Sequence, residues 1–133
     1  MTHSIHGLLL FAHGARDPAW AGPFEAVAKA CAAQRPQVPV ALAFLEFMQP
    51  GLVEAGAGLA KAGCTVVDVV PLFLGAGGHV RKDIPWLLAS LHEQYPDVRW
   101  RLARTIGESP RVIEAMAAAA LLAEPAHPDE GAA

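Results

Sequence analysis

The chain has 133 residues, of which 53% are hydrophobic and 17% charged, and its net charge is −3 with neutral histidines. This balance excludes a disordered polymer and argues against general nucleic-acid binding, which needs a basic surface. The longest apolar runs are about strand length, far short of the ~20 residues of a membrane-spanning helix. We expect one domain over residues 1–124, followed by a disordered tail over residues 125–133.

Short apolar runs alternate with segments of helical period along the chain. The predicted elements in chain order are strand 6–13, helix 17–34, strand 38–46, helix 49–63, strand 64–74, helix 83–95, strand 98–104 and helix 109–124. Asp17, Asp83 and Ser109 are suited to N-caps, and Gly63 is suited to a C-terminal stop. Pro71 cannot donate to a ladder, so the third strand should end near it.

Strands joined by helical crossovers of this length favour an α/β fold with a parallel sheet covered by helices on both faces. The right-handed crossover rule leaves few arrangements, and the commonest small one has strand order 2-1-3-4. We therefore predict a three-layer, flavodoxin-like sandwich. The last strand alternates apolar and basic residues, as is typical of a half-exposed edge strand.

Three side chains suited to metal binding follow the ends of successive predicted strands. His13 ends the first strand, Glu46 ends the second, and His79 lies in the glycine-rich loop after the third. In open α/β sheets, ligands bind beyond the carboxyl ends of the strands where the chain order reverses, here between strands 1 and 3. Two imidazoles and a carboxylate suit Zn, Co, Ni or Fe and leave coordination positions open.

Each of these residues also has an ordinary structural interpretation. His79 could be a surface residue, His13 a hydrogen-bonding residue at a helix entry, and Glu46 a loop carboxylate. The loop "GAGGHV" is neither a dinucleotide-binding fingerprint nor a Walker A loop, so it is only weak support for phosphate binding. Its glycines at 75, 77 and 78 would let the backbone bend tightly.

Basic residues surround the same predicted edge of the sheet. They are Arg16, Arg81, Lys82, Arg104 and Arg111. Some of them are expected to be ordinary solvated charges. Together they could form a basic rim that pairs with a polycarboxylate ligand, because arginine binds carboxylates in a bidentate manner.

The segments "LLLFAHGARDP", "FLEFMQPGL" and "VVPLFLGAGGHVRKDIP" resemble the three signature segments of CbiX-type sirohydrochlorin chelatases. These are class II chelatases of cobalamin and sirohaem synthesis, and the resemblance covers nearly the whole chain. It implies that His13 and His79 bind the incoming metal and that Glu46 is the family's acidic residue. It also implies homodimers for short chains such as this one. The family commonly has serine where this chain has Ala15.

The resemblance implies a lyase that inserts Co²⁺, or else Ni²⁺ or Fe²⁺, into sirohydrochlorin without an organic cofactor. Arg16, Gly77, Gly78 and Arg81 are the predicted contacts of the tetrapyrrole. Neutral imidazoles can both hold a metal and accept the displaced pyrrole protons. A non-catalytic carrier of metal or tetrapyrrole is the alternative. A histidine-dependent phosphoester hydrolase has little support, because no activated nucleophile follows a strand.

Two cysteines, Cys31 and Cys64, are far apart and match no metal or redox spacing. Both have apolar neighbours in sequence, which is typical of small core residues. Reduced thiols are the simplest interpretation, and they predict a cytoplasmic protein. No nucleic-acid or membrane partner is expected.

Overall fold

The computed structural model describes residues 4–75 and 77–126, except for the side chains of residues 78–81. The strands are β1 (His6–Ala12), β2 (Val40–Phe44), β3 (Val66–Pro71) and β4 (Arg99–Leu102). The helices are α1 (Gly22–Gln34), α2 (Leu52–Lys61), α3 (Gly78–Gln94) and α4 (Pro110–Leu121). Short 3-10 helices span Pro18–Ala21 and Ile106–Glu108.

The four strands form one parallel sheet in the order β2-β1-β3-β4, which confirms the predicted fold. β3 ends at Pro71, as expected for a residue without an amide hydrogen. Asp17 caps the first 3-10 helix by accepting a hydrogen bond from the amide of Ala19, and regular α-helix begins only at Gly22.

Alternation along the strands separates two apolar cores. The larger core joins one face of the sheet to α2 and α3, and its members include Leu9, Phe11, Val67 and Leu91, all fully buried. The smaller core lies on the other face, where Ala12, Ala21 and Phe44 pack with Trp20 and Phe24. Helices thus lie on both faces of the sheet, although the α1 face is covered only in part. Both cores reach the carboxyl end of β1.

An ion pair ties the edge strand β4 to β3. Arg101 donates to both carboxylate oxygens of Asp68, from Nε at 2.6 Å and from Nη2 at 2.9 Å. The pairing lowers the pKa of the Asp68 carboxyl, mainly through the hydrogen bond from Arg101. Both side chains are more than one third exposed, so solvent weakens the attraction and the pair orients β4 more than it stabilises the domain.

α3 begins five residues earlier than the sequence predicted. Gly77 is its N-cap, in an extended conformation, and Asp83 lies inside the helix rather than at its start. Pro85 also lies inside the helix. The glycine cluster suggested an irregular loop, but Gly77 serves as the N-cap of a helix that continues through Pro85.

α4 is the least packed element of the fold. Every residue from Pro110 to Leu121 is exposed except Val112, which is half-buried. This helix therefore adds little to the cover of the sheet. The predicted tail falls largely outside the described residues, which end at Ala126. Among the helices described, none has the length and apolar character needed to cross a bilayer.

Candidate metal site

His13 and Glu46 lie side by side just beyond the carboxyl ends of β1 and β2. Two backbone hydrogen bonds extend the ladder past the strands, from the Leu45 amide to the Ala12 carbonyl and from the Glu46 amide to the His13 carbonyl, at 2.9 and 3.1 Å. Nε2 of His13 is 4.0 Å from Oε1 of Glu46, and the two side chains are 44% and 49% exposed. Both can be reached from solvent.

Gly14 makes this close approach of the two loops possible. Its φ is +96°, and a Cβ at this position would lie 1.9 Å from the carbonyl oxygen of Glu46. Only glycine fits here, because other residues are disfavoured at this φ and their Cβ atom would overlap the Glu46 carbonyl oxygen. Gly14 was not among the predicted site residues, although its position directly after His13 was a usable signal.

Phe73 holds the imidazole of His13 from the side of the larger core. The two rings meet edge to face with centroids 6.0 Å apart, and Phe73 also packs on Phe11 at 5.8 Å. The Phe73 backbone is fixed as well, because its carbonyl accepts a hydrogen bond from the Gly107 amide at 2.9 Å. Phe73 was missed because an apolar run in a sequence does not show which ring lies beneath a site.

The two nitrogens of the His13 ring have different surroundings. Nδ1 is enclosed and has no hydrogen-bond partner among the described atoms. Nε2 is on the Glu46 side of the ring. Nε2 is therefore the atom we expect to bind a metal, with the Glu46 carboxylate beside it.

The structure places the backbone of His79 in the first turn of α3, not in a loop as the sequence predicted. The side chains of His79 and Arg81 lie outside the described residues. Gly78 is the first residue of α3. Among the described side chains, no group of three histidine, cysteine, aspartate or glutamate residues could share a metal ion. Convergence of His79 on His13 and Glu46 thus stays a prediction.

The loop glycines Gly75 and Gly77 do not depend on the conformational freedom of glycine, although the chain bends at Gly75. Neither Gly75 nor Gly77 has a left-handed φ, and a Cβ at either would meet nothing within 4 Å. A cavity of about 440 Å³ lies beside this loop, between the ends of β3 and β4 and the start of α3, and Arg104 lines it. Gly75 therefore borders open space on the β4 side of the sheet.

A four-stranded parallel sheet of order 2-1-3-4 defines a small open α/β protein, the class in which ligands bind beyond the carboxyl ends of the strands. His13 and Glu46 lie side by side at these strand ends. A model of the CbiX family matches residues 7–121. The chain belongs to this family.

Named relatives and solved structures share most of this chain. A sirohydrochlorin cobaltochelatase of Sulfurisphaera tokodaii is 34% identical over 110 residues, covering 83% of this chain and 87% of the relative. A crystal structure of a cobalamin biosynthesis CbiX protein from Marinobacter aquaeolei is 33% identical, with a TM-score of 0.78 and coverage of 88% of this chain and 95% of that one. Sirohydrochlorin chelatase SirB from Bacillus subtilis, solved with cobalt, is 26% identical with a TM-score of 0.78, and covers 88% of this chain and 50% of SirB.

Proposed function

We propose that this protein is a sirohydrochlorin chelatase that inserts a divalent metal, Co²⁺ in the first place, into the macrocycle. The observation that carries the proposal is the half-exposed pair of His13 and Glu46, beyond the carboxyl ends of β1 and β2 in a CbiX-family chain. The relative from S. tokodaii is named a cobaltochelatase, which supports Co²⁺. SirB does not separate cobalt from iron, because it was solved with cobalt and with Fe³⁺.

Metal insertion must remove waters from the ion and two protons from the pyrrole nitrogens. Nε2 of His13 and the imidazole of His79 would hold the ion, and neutral imidazoles release a metal more readily than thiolates do. Glu46 is placed to balance charge and to pass protons to solvent, because its carboxylate is half-exposed beside His13. The protein contributes mainly by positioning the two reactants, so no organic cofactor is required.

The tetrapyrrole would lie over the strand ends. Arg16 and Arg81 would pair with its peripheral carboxylates. Gly77 and Gly78 would leave room for the disc, an assignment supported by the open space around Gly77.

A visible-light absorbance assay tests the proposed function. Protein, sirohydrochlorin and cobalt are mixed, and the change in spectrum is followed against the uncatalysed rate. We expect insertion at least about 100-fold faster than without protein, the lower end for a positioned acid–base group. A carrier would bind the pigment and shift its spectrum without accelerating insertion, and this outcome would favour the alternative function.

We also propose a homodimer, in which α4 supplies the contact. Its apolar residues follow the spacing i, i+3, i+4, i+7 and i+8, and they are Ile113, Met116, Ala117, Ala120 and Leu121. Such a stripe on a helix is normally buried against a groove. On the α1 face of the sheet, beside a groove of about 370 Å³, Leu8 and Val70 are only half-buried. A second copy would cover both surfaces.

The dimer predicts a change of mass when the stripe is charged. Light scattering should give twice the mass of the chain for the parent protein and for Ala115→Asp, which alters the opposite side of α4. Ile113→Asp should give the mass of one chain, because a buried unpaired carboxylate destabilises an interface by several kcal/mol. A monomeric parent at working concentration would contradict the dimer.

The cysteines fit the expected reduced state. Cys31 and Cys64 are both free, and Cys64 is buried, which raises the pKa of its thiol and makes it less reactive. A cytoplasmic location remains part of the proposal.

A further inference from the structure

Phe47, the residue after Glu46, has an unusual conformation. Its φ is 65°, and it is the only non-glycine residue with positive φ in the described part of the chain. This region is unfavourable for a bulky side chain and is normally occupied by glycine, asparagine or aspartate. Phe47 is also 58% exposed, so burial offsets little of that unfavourable conformation. Core packing therefore does not explain a phenylalanine here.

The exposed ring of Phe47 does have one partner, the guanidinium of Arg16. The Cζ atom of Arg16 lies 5.0 Å from the ring centroid, within the range of a cation–π contact. The two residues come from different loops, one following β1 and the other following β2. The hydrogen bond between Glu46 and His13 joins these loops, so the stacked pair lies at the mouth of the candidate site.

We propose that Phe47 is a specificity-determining residue of the tetrapyrrole site, acting together with Arg16. The phenyl ring offers an apolar face to a pyrrole ring, and it holds the guanidinium ready for a peripheral carboxylate. A free arginine side chain would lose considerable rotamer freedom on binding, and stacking on Phe47 removes part of that loss in advance. The pair thus selects a flat, apolar ligand with an anionic rim. This inference rests on the proposed chelatase function and identifies residues of the enzyme that recognise its substrate.

Phe47→Asn separates this role from a structural one. Asparagine tolerates a left-handed φ better than phenylalanine, so the variant should unfold at the same temperature as the parent or at a higher one. Its KM for sirohydrochlorin should rise about tenfold, as expected when an aromatic and cation–π contact is lost. Its kcat and its KM for cobalt should stay within about twofold of the parent. Phe47→Tyr, the matched control, should keep the parent's KM because it retains the ring.

Arg16→Ala completes the test. If the two residues act as one unit, Phe47→Asn should raise KM much less in the Arg16→Ala background than in the parent. A parent-like KM in Phe47→Asn, or an equal effect in both backgrounds, would overturn the inference while leaving the chelatase intact. A lower unfolding temperature in Phe47→Asn would instead assign Phe47 a structural role. Failure of the parent to accelerate cobalt insertion removes the proposed function itself, and this inference with it.

Discussion

His13→Ala should reduce the acceleration of cobalt insertion by at least about 100-fold while the domain stays folded. The variant removes Nε2, the ring nitrogen beside the Glu46 carboxylate. The fold should survive because the side chain is 44% exposed and its Nδ1 has no hydrogen-bond partner among the described atoms. The loss of contact with Phe73 should lower the free energy of unfolding by no more than about 1 kcal/mol. Absorbance assays and circular dichroism measure the two effects.

His92→Ala is the matched control for this experiment. His92 is an exposed histidine near the end of α3 and is not among the proposed site residues. Its removal should leave both activity and stability unchanged within error. Equal activity of His13→Ala and His92→Ala would show that His13 is not a metal ligand.

His79→Ala should match His13→Ala in activity if both imidazoles hold the ion. A cobalt titration of each single variant should show weaker binding than in the parent. In the double variant, the loss of binding free energy should not exceed the sum of the losses in the two single variants. Anomalous scattering from a cobalt-soaked crystal would locate the ion directly. An ion bound away from His79 would remove that residue from the proposed site.

The sheet and the order of its strands were predictable because local patterns and topology rules agree. Buried strands read as continuous apolar runs, and each run is followed by a helical period. Pro71 marked the end of β3 because proline has no amide hydrogen to donate. His13 and Glu46 could be placed together for a related reason, since carboxyl ends of neighbouring parallel strands share one edge.

Contacts between distant residues could not be predicted from these patterns. Gly14 meets the backbone of Glu46, and Phe73 lies against His13, but both contacts depend on the packed loops rather than on local sequence. Phe47 in a left-handed conformation contradicts local preference. Sequence reasoning therefore assigns it no special conformation, and such exceptions are expected to concentrate at functional sites.

The position of α4 shows a different limit. The sequence shows the amphipathic spacing of α4. An apolar stripe alone does not identify whether the same sheet or another molecule buries it. Gly107 is informative here, because a Cβ at this position would lie 2.0 Å from the carbonyl oxygen of Leu74. The 3-10 helix before α4 is thus held tightly against the loop after β3.

Gly14→Ala should destabilise the domain by about 2–4 kcal/mol, the largest stability effect we expect from a single added methyl group here. An alanine at φ +96° is unfavourable by about 1–2 kcal/mol, and the overlap with the Glu46 carbonyl requires a further shift of the two loops. That shift moves Glu46 relative to His13, so cobalt insertion should also fall at temperatures where the variant is fully folded. Denaturant unfolding followed by circular dichroism measures the first effect, and the absorbance assay the second.

Gly58→Ala provides the matched control, since it makes the same chemical change where space is open. Gly58 is exposed within α2, and a Cβ there would meet nothing within 4 Å. Alanine favours helix over glycine by up to about 1 kcal/mol, so this variant should be more stable than the parent and equally active. If Gly14→Ala were as stable and as active as Gly58→Ala, the close contact of the two loops would not be what holds His13 beside Glu46.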